Sequence, residues 1–400
     1  MFKRFFYIRL ILIVFILLID TLVFVEINAT FQFDAIIFSL IYGGISLFFI
    51  LFLLLFSLKN NWSNRYRKTQ RLLFSFFGAF ILFYLPKIGY LLFALMEDLI
   101  NVFLSDELVF LSFTGIGIST FLFLAILYGI TYGKYHFKVE QEVLSFFNLP
   151  EEWNGLRIVH ISDLHIGSWQ NSHNKLKKAV DLINKEKPDL IFFTGDLVNN
   201  KAEEAFYFIP ILKQMSASLG KYSILGNHDY GDYFPWASAN EKKDNLERLK
   251  EIHKQAGFQL LLNDSVMIDG QGSSIGIAGV ENWGLPPFHQ HGDLNKSLAN
   301  LDGQTQFNIL LSHDPSHWKA EVLKNDKVDL TLSGHTHGMQ FGISLNGFKW
   351  SPAKWKYPEW GGIYEHGNQK LYVSTGLGFI GFPGRVGIRP KITAIDLYSC

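Results

Sequence analysis

Hydrophobic positions fall into two regimes along the chain. In the first third they form four long runs, at residues 5–27, 35–58, 72–96 and 108–133. A helix needs about 20 apolar residues to cross a bilayer core of about 30 Å, so this pattern predicts a membrane domain of about four transmembrane helices. The second and fourth runs carry no charge, whereas Arg9 and Asp20 interrupt the first, and Pro86 and Lys87 the third. Asp20 and Lys87 are expected to snorkel toward the interface, the bland alternative to a transport site. No small-residue cleavage site follows the first run, so it reads as an anchor and not as a removed signal peptide.

From residue 134 the runs shorten and alternate. Phe137–Phe146 has the period-2 alternation of a strand. Strand-like runs at Leu156–Ile161, Leu190–Phe193 and Lys221–Leu225 are separated by helical periodicity over Asn171–Lys185 and Ala202–Met215, and Asn240–Ala256 reads as a further helix. Short strands are expected at Phe258–Leu262, Ser265–Ile268, Ile275–Val280, Asn308–Leu311, Asp329–Leu332, Leu371–Val373 and Ile392–Leu397, with a short helix near Ser316–Leu323. Alternating units followed by consecutive strands predict an α/β fold with two mixed sheets flanked by helices. The chain therefore reads as a transmembrane domain, 1–133, followed by a globular domain, 134–400.

Composition sharpens this division. Residues 1–133 hold 23 of the 38 Phe, only 16 charged residues and no histidine, while all 13 His lie beyond. Lys+Arg and Asp+Glu balance at 36 each, which excludes a strongly basic nucleic-acid binder. The single Cys, at position 400, excludes a disulfide scaffold and a thiolate metal site. Basic residues cluster before the first run (Lys3, Arg4), between the second and third (Lys59, Arg65, Arg67, Lys68, Arg71) and after the fourth (Lys134, Lys138). The loop before the fourth run is acidic, with Glu97, Asp98, Asp106 and Glu107. By the positive-inside rule both chain ends, and with them the globular domain, are expected in the cytoplasm.

Five short motifs follow expected strand ends: Asp163-Leu164-His165, Gly195-Asp196, Gly226-Asn227-His228-Asp229, His313, and Gly334-His335-Thr336-His337. Ligand sites in open α/β sheets form outside the carboxyl ends of strands, so motifs spread over 174 positions can converge. Asp, His and Asn suit divalent ions such as manganese, iron or zinc. A pair of ions about 3.5–4 Å apart needs a bridging carboxylate and several ligands on each side. Asp163, His165, Asp196, Asn227, His313, His335 and His337 would supply seven. His160, on the strand before the first motif, reads as structural, and His173, His253, His289, His291, His317 and His366 as surface residues.

The order D-x-H, GD, GNHD, H, GHTH resembles the signature of calcineurin-like metallophosphoesterases over about residues 150–400. Ile161-Ser162-Asp163-Leu164-His165, Gly334-His335-Thr336-His337-Gly338-Met339-Gln340, Gly376-Leu377-Gly378 and Phe382-Pro383-Gly384-Arg385 resemble its bacterial membrane-associated branch, although Met339 and Arg389-Pro390-Lys391-Ile392 depart from that branch's usual pattern. The resemblance implies a four-layer αββα sandwich anchored to a bacterial cell membrane. It implies one ion on Asp163, His165 and His337, another on Asn227, His313 and His335, and Asp196 bridging both. It also implies that His228 acts on the substrate. Two such cations lower the pKa of a shared water and clamp phosphoryl oxygens for in-line attack. Asp229 is expected either to orient His228 or to stabilise the turn, and Arg385 is a candidate for holding phosphate.

Aromatic residues crowd the motif loops: Tyr233-Phe234-Pro235-Trp236, Trp283 to Phe288, Phe348-Lys349-Trp350, Trp355, Tyr357, Trp360, Phe379 and Phe382. With interleaved Lys they suit a membrane interface or a greasy substrate as well as they suit loop packing. The expected partners are membrane lipids and a phosphorylated, lipid-linked substrate, for which the resemblance to membrane phosphoesterases implies a UDP-diacylglucosamine-type lipid A precursor or a phospholipid. The alternatives are soluble nucleotides, or a non-enzymatic membrane sensor.

Overall fold

The computed structural model of the chain describes residues 2–31, 35–56, 66–104, 108–169, 172–270, 272–301, 303–345 and 348–400. Lys59, Arg65, Asp106 and Glu107 of the charge pattern, and Asn171 of an expected helix, lie outside them. The chain divides into two units, Met1–Ile130 and Thr131–Cys400.

The first unit is built of α1 (Phe2–Phe31), α2 (Ala35–Phe56), α3 (Tyr66–Asn101) and α4 (Phe110–Thr131). Three stretches of described helix, Tyr7–Thr30, Tyr66–Asn101 and Phe110–Tyr135, are long and apolar enough to cross a membrane. The 22 residues of α2 rise about 33 Å at 1.5 Å per residue. Neither the charges nor Pro86 break the helices. Asp20 and Lys87 do not snorkel as expected. Lys87 Nζ lies 2.6 Å from Asp20 Oδ1, Tyr84 Oη donates to Asp20 Oδ2 at 2.8 Å, and Ser46 Oγ donates to the same oxygen. The two charges sit inside the helix bundle and neutralise each other there, which is why neither needs to reach water. Glu97 near the end of α3 accepts from Leu111 N and Ser112 N at 2.7 and 3.1 Å, satisfying free amides in the first turn of α4.

The second unit contains two six-stranded sheets. Its strands are β1 (Lys138–Phe146), β2 (Leu156–Ile161), β3 (Leu190–Phe193), β4 (Gly220–Ser223), β5 (Gln259–Leu260), β6 (Asp264–Asp269), β7 (Ser274–Gly279), β8 (Phe307–Leu311), β9 (Leu330–Ser333), β10 (Ile343–Leu345), β11 (Phe348–Trp350), β12 (Gly362–His366), β13 (Gln369–Val373) and β14 (Lys391–Ser399). Its helices are α5 (His173–Lys185), α6 (Ile209–Leu212), α7 (Ala239–Gln255), α8 (Leu294–Leu298) and α9 (Ser316–Ala320). One sheet has the order β1-β14-β2-β3-β4-β5, the other β12-β13-β9-β8-β7-β6, and β10-β11 is a separate hairpin.

Alternation along the strands makes the layers. Leu156, Ile158, Leu190 and Phe192 of the first sheet share one core with Ile277, Phe307, Ile309, Leu330 and Leu332 of the second. Their neighbours Val159, Ile161, Ile191 and Phe193 face the other way, onto Leu176, Ala179, Val180 and Ile183 of α5 and Leu249 and Ile252 of α7. Ala278, Leu310, Leu371 and Val373 cover the outer face of the second sheet with Leu294, Leu298 and Trp318. Strands with both faces covered read as continuous apolar runs, as LIFF does over β3. The result is the expected αββα sandwich.

Some expectations fail locally. The helix expected over Ala202–Met215 is broken into short 3-10 turns before α6, because the Glu204 side chain accepts from Asn199 N and Lys201 N and Pro210 restarts the chain without an N–H. The hairpin β10-β11, β12 and α8 were not foreseen. His253 and His317, expected at the surface, are buried. Each turns inward on its helix and meets a hydroxyl, with Ser223 Oγ 2.9 Å from His253 Nδ1 and Ser312 Oγ 2.9 Å from His317 Nδ1.

One feature of the topology positions everything that follows. β2, β3 and β4 are parallel, β14 is antiparallel to β2, and β1 is parallel to β14. The starts of β1 and β14 therefore lie on the same sheet edge as the carboxyl ends of β2, β3 and β4.

Candidate metal centre

That edge carries the motif loops. Asp163 and His165 follow β2, Asp196 follows β3 and Asn227 follows β4. His313 follows β8, and His335 and His337 follow β9, in the facing sheet. All seven expected ligands come together. His165 Nε2 is 3.0 Å from His337 Nε2, which is 3.3 Å from Asp163 Oδ1. Asn227 Oδ1 is 2.9 Å from His335 Nδ1 and 3.2 Å from His313 Nε2. Asp196 Oδ2 joins the two groups, 3.4 Å from His165 Nε2 and 3.3 Å from His313 Nε2.

The backbone is bent to achieve this. Asp163, His165, Asp196, His335 and His337 have φ of 54°, 42°, 59°, 71° and 51°, a left-handed conformation that side chains other than Gly rarely adopt. The loops after β3 and β4 also cross closely. A Cβ on Gly195 would meet the Gly226 backbone, and one on Gly226 would meet the Asp196 carboxylate.

Neighbours aim the ligand atoms. Thr194 O lies 2.7 Å from His313 Nδ1, which turns Nε2 inward. Tyr357 Oη lies 2.7 Å from His335 Nε2, and Asp314 Oδ2 3.5 Å from it, which leaves Nδ1 facing the centre. Asn227 Nδ2 donates to Tyr233 Oη at 2.9 Å, so Oδ1 points inward. These supporting groups lie outside the motif residues. Asp314 adjoins a motif residue and Tyr233 and Tyr357 stand in the aromatic stretches, but a backbone carbonyl such as Thr194 O leaves no sequence signal.

His228 is partly exposed, and its ring approaches that of His165 with centroids 4.9 Å apart. Its Nδ1 lies 2.9 Å from Asn199 O, so Nδ1–H donates and Nε2 is left for other partners. Asp229 does not hold this imidazole. Its carboxylate accepts from Asp196 N, Gly226 N, Leu197 N and Val198 N at 2.8–3.2 Å, and so it clamps the two crossing loops together. Arg385 is 2% exposed and stands behind the centre, with Nη2 3.2 Å from His337 Nδ1 and Nε donating to Gly378 O at 2.7 Å.

The donor set fits divalent ions. Burial pushes His165 down to about 3 and His335 to about 4, and holds His337 well below its usual range, so these rings are neutral and offer lone pairs. Burial pushes Asp163 up to about 6, as expected of a carboxylate in a dry site without a full counter-charge. His313 goes the other way. Burial opposes its charge, but Asp196 at 3.3 Å raises it to about 10, a proton that a cation would displace. A cation on His337 Nε2 would shift that ring's proton to Nδ1 and turn the Arg385 guanidinium aside. Three His/Asp groups with ligand atoms within 4.8 Å of one another overlap here: Asp163-His165-His337, His165-Asp196-His228 and Asp163-Asp196-His313.

An αββα sandwich with two ligand groups sharing one aspartate at the strand ends defines a dinuclear metallohydrolase. Residues 156–339 match the calcineurin-like phosphoesterase family, and residues 3–134 match a probable calcineurin-like phosphoesterase transmembrane domain of the four-helix type. The metallophosphoesterase YkuE of Bacillus subtilis is 33% identical over 256 residues, covering 63% of this chain and 82% of that protein. A transmembrane protein with metallophosphoesterase domain from Danio rerio is 29% identical over 278 residues, 68% of this chain but only 59% of the relative's length. An Aquifex aeolicus metallophosphoesterase is 31% identical over 54% of this chain and 77% of its own. The chain belongs to the calcineurin-like phosphoesterases. It is a membrane-associated metallophosphoesterase, and its family implies a dinuclear divalent metal site.

Proposed function

We propose that the catalytic domain, residues 134–400, is carried by a transmembrane domain, residues 1–133, and hydrolyses a lipid-linked phosphoester or pyrophosphate bond at the cytoplasmic face of the membrane. A UDP-diacylglucosamine-type lipid A precursor and a phospholipid are the leading substrate classes. One observation carries the lipid reading. The last apolar span ends at Tyr135, β1 begins at Lys138, and the start of β1 shares its sheet edge with the metal-ligand loops. Three residues span at most about 11 Å, so the chain leaving the last span enters this domain at the sheet edge that carries the ligand loops. The basic clusters at Lys3–Arg4, Arg67–Arg71 and Lys134–Lys138 favour the cytoplasmic side.

In this reading Asp163, His165 and His337 hold one divalent ion and Asn227, His313 and His335 the other, with Asp196 shared. Manganese, iron and zinc all suit the nitrogen and oxygen donors. Bound ions supply positive charge to the phosphoryl oxygens and an acidified water. His228, anchored through Nδ1 to Asn199 O, presents Nε2 at the rim, where it gives a proton to the leaving oxygen. Asp229 keeps the Asp196 and Asn227 loops in register, and Arg385 lies behind His337, held through Nε by Gly378 O.

The test uses the full chain in phospholipid nanodiscs with manganese, offered lipid-linked pyrophosphates, phospholipids and soluble phosphodiesters. Faster turnover of a lipid ester is expected. Cleavage of soluble esters alone would end the lipid reading and leave the phosphoesterase assignment standing.

A further inference from the structure

The hairpin β10-β11 leaves its apolar side chains exposed. Its cross-strand pairs are Ile343 with Trp350, Ser344 with Lys349, and Leu345 with Phe348. Alternation puts Ile343, Leu345, Phe348 and Trp350 on one face and Ser344 and Lys349 on the other. In a water-facing hairpin the apolar face would pack on the protein. Here it is exposed, with Leu345 at 66% and Phe348 at 61%. Trp355 extends the patch, 81% exposed with its ring 6.0 Å from that of Trp350. The polar face is exposed as well, and from it Lys349 reaches toward β1, with Nζ 3.6 Å from Glu140 Oε1. A cavity of about 140 Å³ at this contact is lined by Lys138, Glu140, Ser344, Lys349, Arg389 and Lys391, four cations against one carboxylate.

A contiguous apolar patch of this kind on a protein surface marks an interaction site. What covers it follows from where it is held. Lys349 ties the hairpin to β1, and β1 begins three residues after the last span. The surroundings are basic, with Lys354 and Lys356 flanking Trp355 and the lysine-lined cavity beneath. Tryptophan, aliphatic side chains and lysine together form the signature of a segment lying in the headgroup region of an anionic bilayer.

We propose that the exposed face of β10-β11, with Trp355, seats in the headgroup and acyl boundary of the membrane that the chain spans. The hairpin is an excursion between the metal ligand His337 and Tyr357, whose hydroxyl reaches His335. Seating it draws the lipid surface up to the rim of the metal centre. The inference holds whether the substrate is lipid-linked or soluble.

The test places a single cysteine at Leu345 in a Cys400→Ser background and labels it with an environment-sensitive dye. A control cysteine at Phe147, 81% exposed beyond the far end of β1, lies about 23 Å along the strand from Glu140, where the hairpin reaches it. Full-length protein is reconstituted in nanodiscs of phosphatidylcholine and phosphatidylglycerol, with or without acyl-chain doxyl lipid. Cleavage of a soluble phosphodiester confirms that both labelled variants are folded. The expected result is blue-shifted emission at 345 and doxyl quenching at least about twofold stronger than at 147, weakened when phosphatidylglycerol is left out. Equal quenching at the two positions overturns the proposal. So does a label at 345 shielded from aqueous iodide yet untouched by doxyl lipid, which would mean that protein covers the face.

Discussion

Asp163, His165, Asp196, His335 and His337 each hold a left-handed backbone, at a cost of about 1–2 kcal/mol per residue. Such strain persists only where the surroundings over-determine it, and here the clamp by Asp229 and the shared aspartate do so. Asp196→Asn is therefore expected to lose bound metal and hydrolysis together, read by elemental analysis and initial rates. His228→Ala is expected to keep its metal and lose a factor on the order of 10²–10⁴ in rate, because the role proposed for His228 is proton transfer to the leaving group. Glu140 offers a pH test away from the metals. Burial raises it, but Lys391, Lys349 and Lys138 outweigh that and hold it at about 2. A depressed carboxylate stabilises the fold above its unfolded value of about 4.5 and loses that contribution as pH falls toward 2. The contribution is about 3 kcal/mol at most. Acid unfolding of Glu140→Gln should lack this component between about pH 4.5 and 2, as followed by circular dichroism.

Helices and strands differ in what they reveal of themselves. Strand runs such as Leu156–Ile161 and Leu190–Phe193 were legible to the residue, because burial on both faces leaves an unbroken apolar run. The hairpin β10-β11 was not, because three-residue strands give no periodicity and its place beside β1 depends on Lys349 meeting Glu140. The fate of Asp20 and Lys87 was equally hidden, since they are 67 positions apart and become partners only when α1 packs against α3. Removing one member of a buried pair leaves an uncompensated charge, at about 3–5 kcal/mol, while removing both costs far less. Asp20→Asn and Lys87→Met are each expected to lower the unfolding temperature of the membrane unit in detergent, and the double variant to recover most of the loss. Additive losses in that cycle would show that the two side chains do not couple.

At the scale of the whole molecule, the two units answer to different solvents and should respond separately. Chelation is expected to destabilise the unit Thr131–Cys400 alone, by about 2.7 kcal/mol for ions present at 100 times their Kd. Thermal scans with and without chelator should move one transition and leave helix melting in the membrane unit in place. The sequence alone determined the lipid-soluble part, the order of the strands that carry the motif loops and the seven Asp, Asn and His residues that converge there. Each of these is written in local composition, in period or in a motif at a strand end. Tertiary structure alone decided which atoms face the centre, that Asp229 clamps loops and Arg385 lies behind a ligand, that two membrane charges pair, and that a hairpin turns its apolar face outward. Those outcomes depend on groups far apart in the chain meeting at hydrogen-bond distance, and neither the spacing nor the type of a single residue encodes that.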